Sequence, residues 1–471
     1  MMNANITFSL LHLFNSAFHS HLDVFFRASG FFYVGYFIVA ISLIMVCRTW
    51  WSVNGWSEKS FRNIASGFFL LAFILFLWIT KKNIPVFDEF TGLFEFLGKI
   101  QTATNWREKI QLLNEPYFEC KVPVDYLIAW MVFKITGPVY LLHTLLALNA
   151  CTLFLIARIL LRHAGLHEKR AMYFPFLFLF IFQAEFMQSS LNAFSGLCYN
   201  GTLLFSLLAF LQADKNKFSN AILTMVFATL AIFSFGNGMC VIPVLIIQLL
   251  FKTENKNRVW MMAGLVILSL AYFINYHPNN LRADKFDWLS FLLFTPVFLG
   301  SALQFFYVYP LPLLAGVIML WILFRSLRNK TYKQLPAPFY LLLFISGTAL
   351  LGAWYRHGSG SDAPLRLRYG VFSAFAILCS ICLLLKLWPE HINLKFIRYV
   401  AILAIAYNLL SGFFFYPESV LTILNNKIML QHWKNHIPLE RHSPYYPPDL
   451  EPVIQLAVDQ KVLDTRLFQE H

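Results

Sequence analysis

The sequence predicts an all-α membrane protein with about twelve or thirteen spanning helices. Three observations predict it. The first is composition: 58% of the 471 residues are hydrophobic, 18% aromatic and only 13% charged, against about a quarter charged in soluble domains. The second is the set of apolar runs, near 31–48, 63–80, 139–160, 172–188, 195–211, 219–235, 239–251, 259–275, 310–325, 337–354, 369–387 and 396–414. Most approach the roughly 20 residues that an α-helix needs to cross the hydrocarbon. The third is where the charge sits. The chain carries 37 Lys and Arg against 24 Asp and Glu, a net +13. Alternate inter-helix segments, from Arg48 and Lys59 through Arg325 and Lys333 to Arg398, hold 19 of those cations with five acids. The positive-inside rule makes these segments cytoplasmic. The excess charge therefore reports topology, which excludes a nucleic-acid partner and most soluble classes.

Each element follows in order. Residues 1–30 are apolar but carry His12, His19, His21, Asp23 and Arg27, and read as an interfacial helix or an additional span. No basic stretch precedes a small-residue cleavage site, so a removable signal peptide is not expected. The body is 31–414, with its first outer loop at 81–122. Val122–Thr136 is too short to cross and ends at Gly137-Pro138, so it is expected to lie in or dip into the outer leaflet as a re-entrant helix. Trp288 to Phe306, broken by Pro296 and Gly300, raises the same parity problem. Two such segments on one face suggest a cavity there, because irregular backbone at membrane depth must be surrounded by protein or water. Ser234-Phe235-Gly236-Asn237-Gly238 reads as a tight outer turn whose glycines supply positive φ. Residues 415–471, punctuated by six prolines, form a short extracytoplasmic tail. The seven cysteines give no disulfide framework, and Cys379-x-x-Cys382 on an apolar helix is expected to pack.

Chemistry is expected on the outer face. Asp88 and Glu89 stand together a few residues after the 63–80 helix, where a partly desolvated carboxylate can take a proton from a hydroxyl or hold a divalent cation. The alternative is a solvated loop pair. Lys121 precedes Pro123 at a helix start, where N–H groups favour an anion such as a phosphate; snorkelling is the alternative. Glu115, Glu119 and Glu185 are supporting acids. Arg282, Arg356, His357, Arg366 and Arg368 lie in outer loops, against the topological bias. Their expected partner is a phosphate or pyrophosphate, unless neighbouring aspartates pair with them. No cofactor is indicated beyond that divalent cation.

The order of spanning helix, Asp88-Glu89, long loop, Tyr117-Phe118-Glu119-Cys120-Lys121-Val122-Pro123, short helix and Gly137 resembles the first half of GT-C membrane glycosyltransferases. Lipid A aminoarabinose transferases and protein mannosyltransferases belong to that class. A closer likeness, over most of the chain, is to poorly characterised bacterial members, through Asn114-Glu115, the 234–238 turn, Arg368-Tyr369 and the proline-rich tail. The resemblance implies an inverting, lipid-phosphate-dependent transferase in the bacterial inner membrane with its site facing the periplasm. It implies a polyprenyl-phosphate sugar as donor and an envelope glycan, lipid or protein as acceptor. Asp88 would be the catalytic acid residue with Glu89 beside it, and Lys121 the phosphate contact. Here Cys120 is interposed and Val122 replaces a proline of the family's stretch. The competing readings are a polyprenyl-linked glycan polymerase or ligase, and a transporter or flippase of lipid-linked sugars. The polar residues gather at the outer surface and no internal repeat is visible, which argues against transport.

Overall fold

The computed structural model describes residues 58–81, 83–86, 88–117, 120–163, 174–183, 191–252, 257–274, 286–304, 309–356, 363–366, 369–388, 394–436 and 450–464. The expected interfacial segment 1–30 and span 31–48 lie outside the described residues. What is described is an all-α polytopic membrane protein. Among the described residues seven helices are long and apolar enough to cross a bilayer, and four shorter apolar helices accompany them.

The long helices are α1 (Glu58–Lys81), α4 (Pro123–His163), α6 (Ala193–Ala213), α11 (Pro310–Arg328), α12 (Pro336–Arg356), α13 (Gly370–Leu387) and α14 (Leu394–Lys434). The shorter membrane helices are α7 (Phe218–Ile232), α8 (Val241–Phe251), α9 (Arg258–Phe273) and α10 (Trp288–Gly300). Between α1 and α4 the chain forms a π-helical turn (Glu89–Phe94) and the small helices α2 (Glu95–Thr102) and α3 (Trp106–Leu113). A two-residue hairpin of β1 (Pro116–Tyr117) and β2 (Cys120–Lys121) follows. The tail contributes α15 (Leu450–Asp459).

The break foreseen at Gly137-Pro138 is present. Gly137 takes φ 66° and ψ −176° inside α4, a conformation without cost only for glycine, and it divides α4 into 123–136 and 138–163. The start of the second half is held from outside: the Asn83 side chain donates to Val139 O at 2.8 Å and to Pro138 O at 3.4 Å.

Three expectations change. A spanning helix at 172–188 is not what 174–183 forms. Those residues make a single helical turn, α5 (Phe174–Leu177), then a 3-10 turn, and the Asn408 side chain donates to the carbonyls of Leu179 and Phe182. A carboxamide from α14 thus does what the next helical N–H groups would otherwise do. At 234–238 the glycines are not at positive φ, since among the described residues only Gly137 is a glycine of that kind. They allow close approach instead: a Cβ on Gly238 would lie 2.0 Å from Ala231 O, and one on Gly236 would lie 2.6 Å from Cys120 Sγ. Finally, α14 does not stop near 414 but continues through Pro417 to Lys434, so its second half stands against the loop after α1, where Asn426 reaches Pro85 O.

α6 is the centre. It packs on α4, α7, α8 and α12, and its length is mostly buried. Its small and hydroxylated side chains, Ser195, Gly196, Gly201, Thr202, Ser206 and Ala209, allow this. Lipid tails are as apolar as leucine, so close van der Waals approach replaces the hydrophobic effect as the packing force. α10 and α11 show the same principle at its tightest. A Cβ on Gly300 would meet Pro312 O at 2.0 Å, and one on Gly316 would meet Pro296 O at 1.7 Å. The two backbones touch, and α10 is wedged among α11, α12 and α13. Gly316→Ala is therefore expected to lower stability by at least about 1–3 kcal/mol, read as a fall in the unfolding midpoint in detergent. Gly67→Ala, inside α1 with open space around its Cβ, should not lower the midpoint, since alanine is the better helix former.

Candidate functional site

The loop after α1 is fixed by a buried ion pair. Lys81 Nζ lies 2.7 Å from Glu89 Oε2, and both side chains are 0% exposed. Each half is further satisfied. Glu89 Oε2 accepts from Val86 N at 2.7 Å, and Oε1 accepts from Ala193 N at 2.5 Å. Lys81 Nζ donates to Leu191 O at 2.6 Å. Burial pushes the Glu89 carboxyl up, against the pull of the Lys81 ammonium and the two amides. The pair ties together the C-terminus of α1, where a cation is favoured by the helix dipole, the π-turn, and the start of α6. Asn426 on α14 adds a bond to Pro85 O at 2.8 Å.

The effect is to present Asp88. It is half-buried, caps the π-turn by accepting Gly92 N at its carbonyl, and its Oδ2 accepts from Ser195 Oγ at 3.4 Å. Ser195 is in the first turn of α6, whose N-cap Asn192 accepts Ser195 N at 2.9 Å. The carboxylate therefore faces the positive end of the central helix. Gly92 makes this possible: a Cβ there would lie within 2.9 Å of the Phe194 and Tyr117 rings. Tyr117 packs edge-on to Phe194 at 5.4 Å. Burial, with the negative charge of Asp88 nearby, holds its phenol well above the usual range.

The two adjacent acids thus have different surroundings. Asp88 is accessible; Glu89 is enclosed and all its bonding directions face protein. Glu89 is consequently not placed to share a divalent cation with Asp88, and among the described residues no group of three or more His, Cys, Asp or Glu is arranged to hold a metal.

Lys121 is buried beside the end of α9. Its ammonium donates to Ile274 O, the residue that closes α9, and its amide points to Tyr272 OH at 3.5 Å. An ammonium has three donors, so this bond leaves two. Burial lowers its pKa below the ordinary lysine value. Arg356 ends α12 and lies over the Tyr369 ring at 5.8 Å. From there aromatic contacts run inward through Phe298, Phe372 and Tyr199, the last on α6. Arg366 is half-buried, its carbonyl accepting Tyr369 N. Glu115 is at the surface, 3.7 Å from Lys99, which also pairs with Glu95 at 2.8 Å. Glu119, Glu185, Arg282, His357 and Arg368 lie outside the described residues. The structure therefore gathers Asp88, Glu89 and the Tyr117 hairpin at the head of α6, links Arg356 and Arg366 to that helix through the aromatic contacts from Tyr369 to Tyr199, and leaves Glu115 apart.

One residue was missed. Asp125, in the first turn of α4, is 0% exposed, and neither oxygen has an oxygen or nitrogen partner. The Cys198 thiol lies beside it, and Oδ1 is 3.6 Å from where a Gly201 Cβ would stand, as is Ser234 Oγ. The sequence signal was present in the first-turn acid after Pro123, but nothing in it distinguishes an enclosed carboxyl from a solvated one. The expected packing role of Cys379 and Cys382 agrees with their burial.

No family model, curated protein or solved structure matches this chain.

The ion pair makes a definite prediction. Lys81→Met alone strands a buried carboxylate and is expected to cost about 3–5 kcal/mol. The double variant Lys81→Met with Glu89→Gln should recover a large part, so a double-mutant cycle on detergent unfolding midpoints should show strong non-additivity. Additive losses would remove the pair as the organiser of the loop.

Proposed function

We propose that the protein is a membrane glycosyltransferase of the GT-C type, moving a sugar from a polyprenyl-phosphate donor to an envelope lipid, glycan or protein acceptor. The observation that carries this reading is an accessible carboxylate, Asp88, held at the head of the central helix by a buried ion pair that takes no part in solvent chemistry. Its level in the bilayer supports the reading too. Trp78 and Tyr140, 43% and 53% exposed, flank the end of α1 and the Gly137 break with ring centroids 6.4 Å apart. Amphipathic rings of this kind gather at the headgroup boundary, where a lipid-linked sugar phosphate has its reacting carbon. The expected site faces the periplasm of the bacterial inner membrane.

In this mechanism an acceptor hydroxyl attacks the anomeric carbon as the bond from that carbon to the phosphate oxygen breaks. Asp88 takes the hydroxyl proton, and the electron pair leaves with the polyprenyl phosphate. Glu89 positions Asp88 and does not exchange protons. The negative charge developing on the phosphate is met by Lys121, Arg356 and Arg366, with Arg282, His357 and Arg368 in the same outer loops. Ser195 orients the Asp88 carboxylate.

Asp88→Asn is expected to lower transfer by about 10²–10⁴-fold with donor affinity unchanged, measured as release of polyprenyl phosphate from synthetic donors by the purified protein in lipid. No turnover with any donor, together with unchanged donor binding in Lys121→Ala and Arg366→Ala, moves the assignment to transport or assembly. Lys121 adds a pH test. Its lowered pKa means that its positive charge is lost at a lower pH than that of an exposed lysine. Donor affinity should fall as pH rises through that value, and Lys121→Arg, which stays charged, should abolish the fall.

A further inference from the structure

A groove of about 430 Å³ runs between α7 and α9. Phe218, Ile222, Val226 and Leu230 form one wall, Trp260 and Met261 the other. Its floor is where Gly264 lets α9 approach Met225, a Cβ on Gly264 standing 2.8 Å from the Met225 methyl. The lining offers no side-chain hydrogen-bond donor to an occupant, because its one hydroxyl, Thr229, already donates to Met225 O within α7. The occupant must be apolar along this length. From Phe218 to Leu230 the wall rises about 18 Å, close to the roughly 15 Å depth of one leaflet.

One end of the groove is charged. Lys217 is the N-cap of α7, immediately before Phe218, and Arg258 is the first residue of α9, two before Trp260. Neither forms an ion pair with a described residue; the described acid at this end, Asp214, is 3.3 Å from Lys252 instead. Trp260 and Phe218 are 78% and 66% exposed at the same level, which suits rings at a headgroup boundary. The cation bias of the sequence places this end on the cytoplasmic side.

We propose that this groove is a binding site for an anionic glycerophospholipid of the cytoplasmic leaflet. Its phosphate sits between Lys217 and Arg258, and one acyl chain lies along α7. A guanidinium and an ammonium meeting one phosphate give both bidentate hydrogen bonding and charge neutralisation, and the apolar wall fixes the chain below them. The site is separate from the sugar-transfer reading and does not depend on it.

Native mass spectrometry of the full-length protein in detergent tests this directly, with phosphatidylglycerol or phosphatidylcholine titrated in. The expected result is one phosphatidylglycerol retained per chain, with phosphatidylcholine about thirtyfold weaker, the effect of two cations near one anionic headgroup. Lys217→Ala with Arg258→Ala should remove that preference. Ile222→Trp, which fills the groove from an exposed position, should lower retention of both lipids, and Lys333→Ala should leave retention as in the wild type. Equal retention of the two lipids, or an unaltered preference in the double cation variant, overturns the proposal. So does a dimer that carries no lipid, or phosphatidylglycerol retention that requires Lys121 and not Lys217.

Discussion

The end of this molecule that carries Asp88 depends on one buried ion pair. Lys81 and Glu89 are eight residues apart, wholly enclosed, and satisfied by three further backbone atoms from the loop and the start of α6. An enclosed pair of this kind adds little net stability, because desolvation offsets most of the attraction, but losing either member is costly. Its consequence is geometric. With α1, the π-turn and the head of α6 fixed to one point, Asp88 has one position available, and Asn83 and Asn426 brace the same loop against α4 and α14.

Around that point the bilayer sets the packing rules. Helices in lipid gain little from apolar contact as such, so they associate where backbones come close and where polar side chains find partners across helices. α6 uses small residues for the first purpose. Asn149 to Ala193 O, Gln248 to Phe210 O and Asn408 to the 179–182 turn serve the second. The carboxamides on α4, α8 and α14 each reach a carbonyl on another element. They are the polar framework of an otherwise aromatic interior.

The tail is part of the same assembly. α15 packs on α2 and on the π-turn, with Leu456 over Gly98 and Ile454 enclosed. A segment some 350 residues distant in sequence thus covers the back of the element that presents Asp88. The acids of this region end in three electrostatic states: Asp88 accessible, Glu89 paired, and Asp125 enclosed without an oxygen or nitrogen partner. Burial and partners, not residue type, separate them.

The sequence by itself determined the class, the approximate helices and the break at Gly137-Pro138. Apolar run length, the positive bias of alternate loops, and the restrictions of glycine and proline are local properties that any fold of this chain must obey. It also singled out the Asp88 loop, because adjacent charges beside a spanning helix stand out by composition. Only the tertiary structure decided that Glu89 belongs to Lys81, that Lys121 closes α9, and that residues 174–183 turn instead of spanning. It likewise decided that Gly236 and Gly238 serve close approach. Each of these depends on an atom brought from far along the chain: Ala193 N to Glu89, Ile274 O to Lys121, the Asn408 carboxamide to Leu179 and Phe182. Periodicity and composition carry no record of such partners, because burial is a property of the packed molecule and not of the residue.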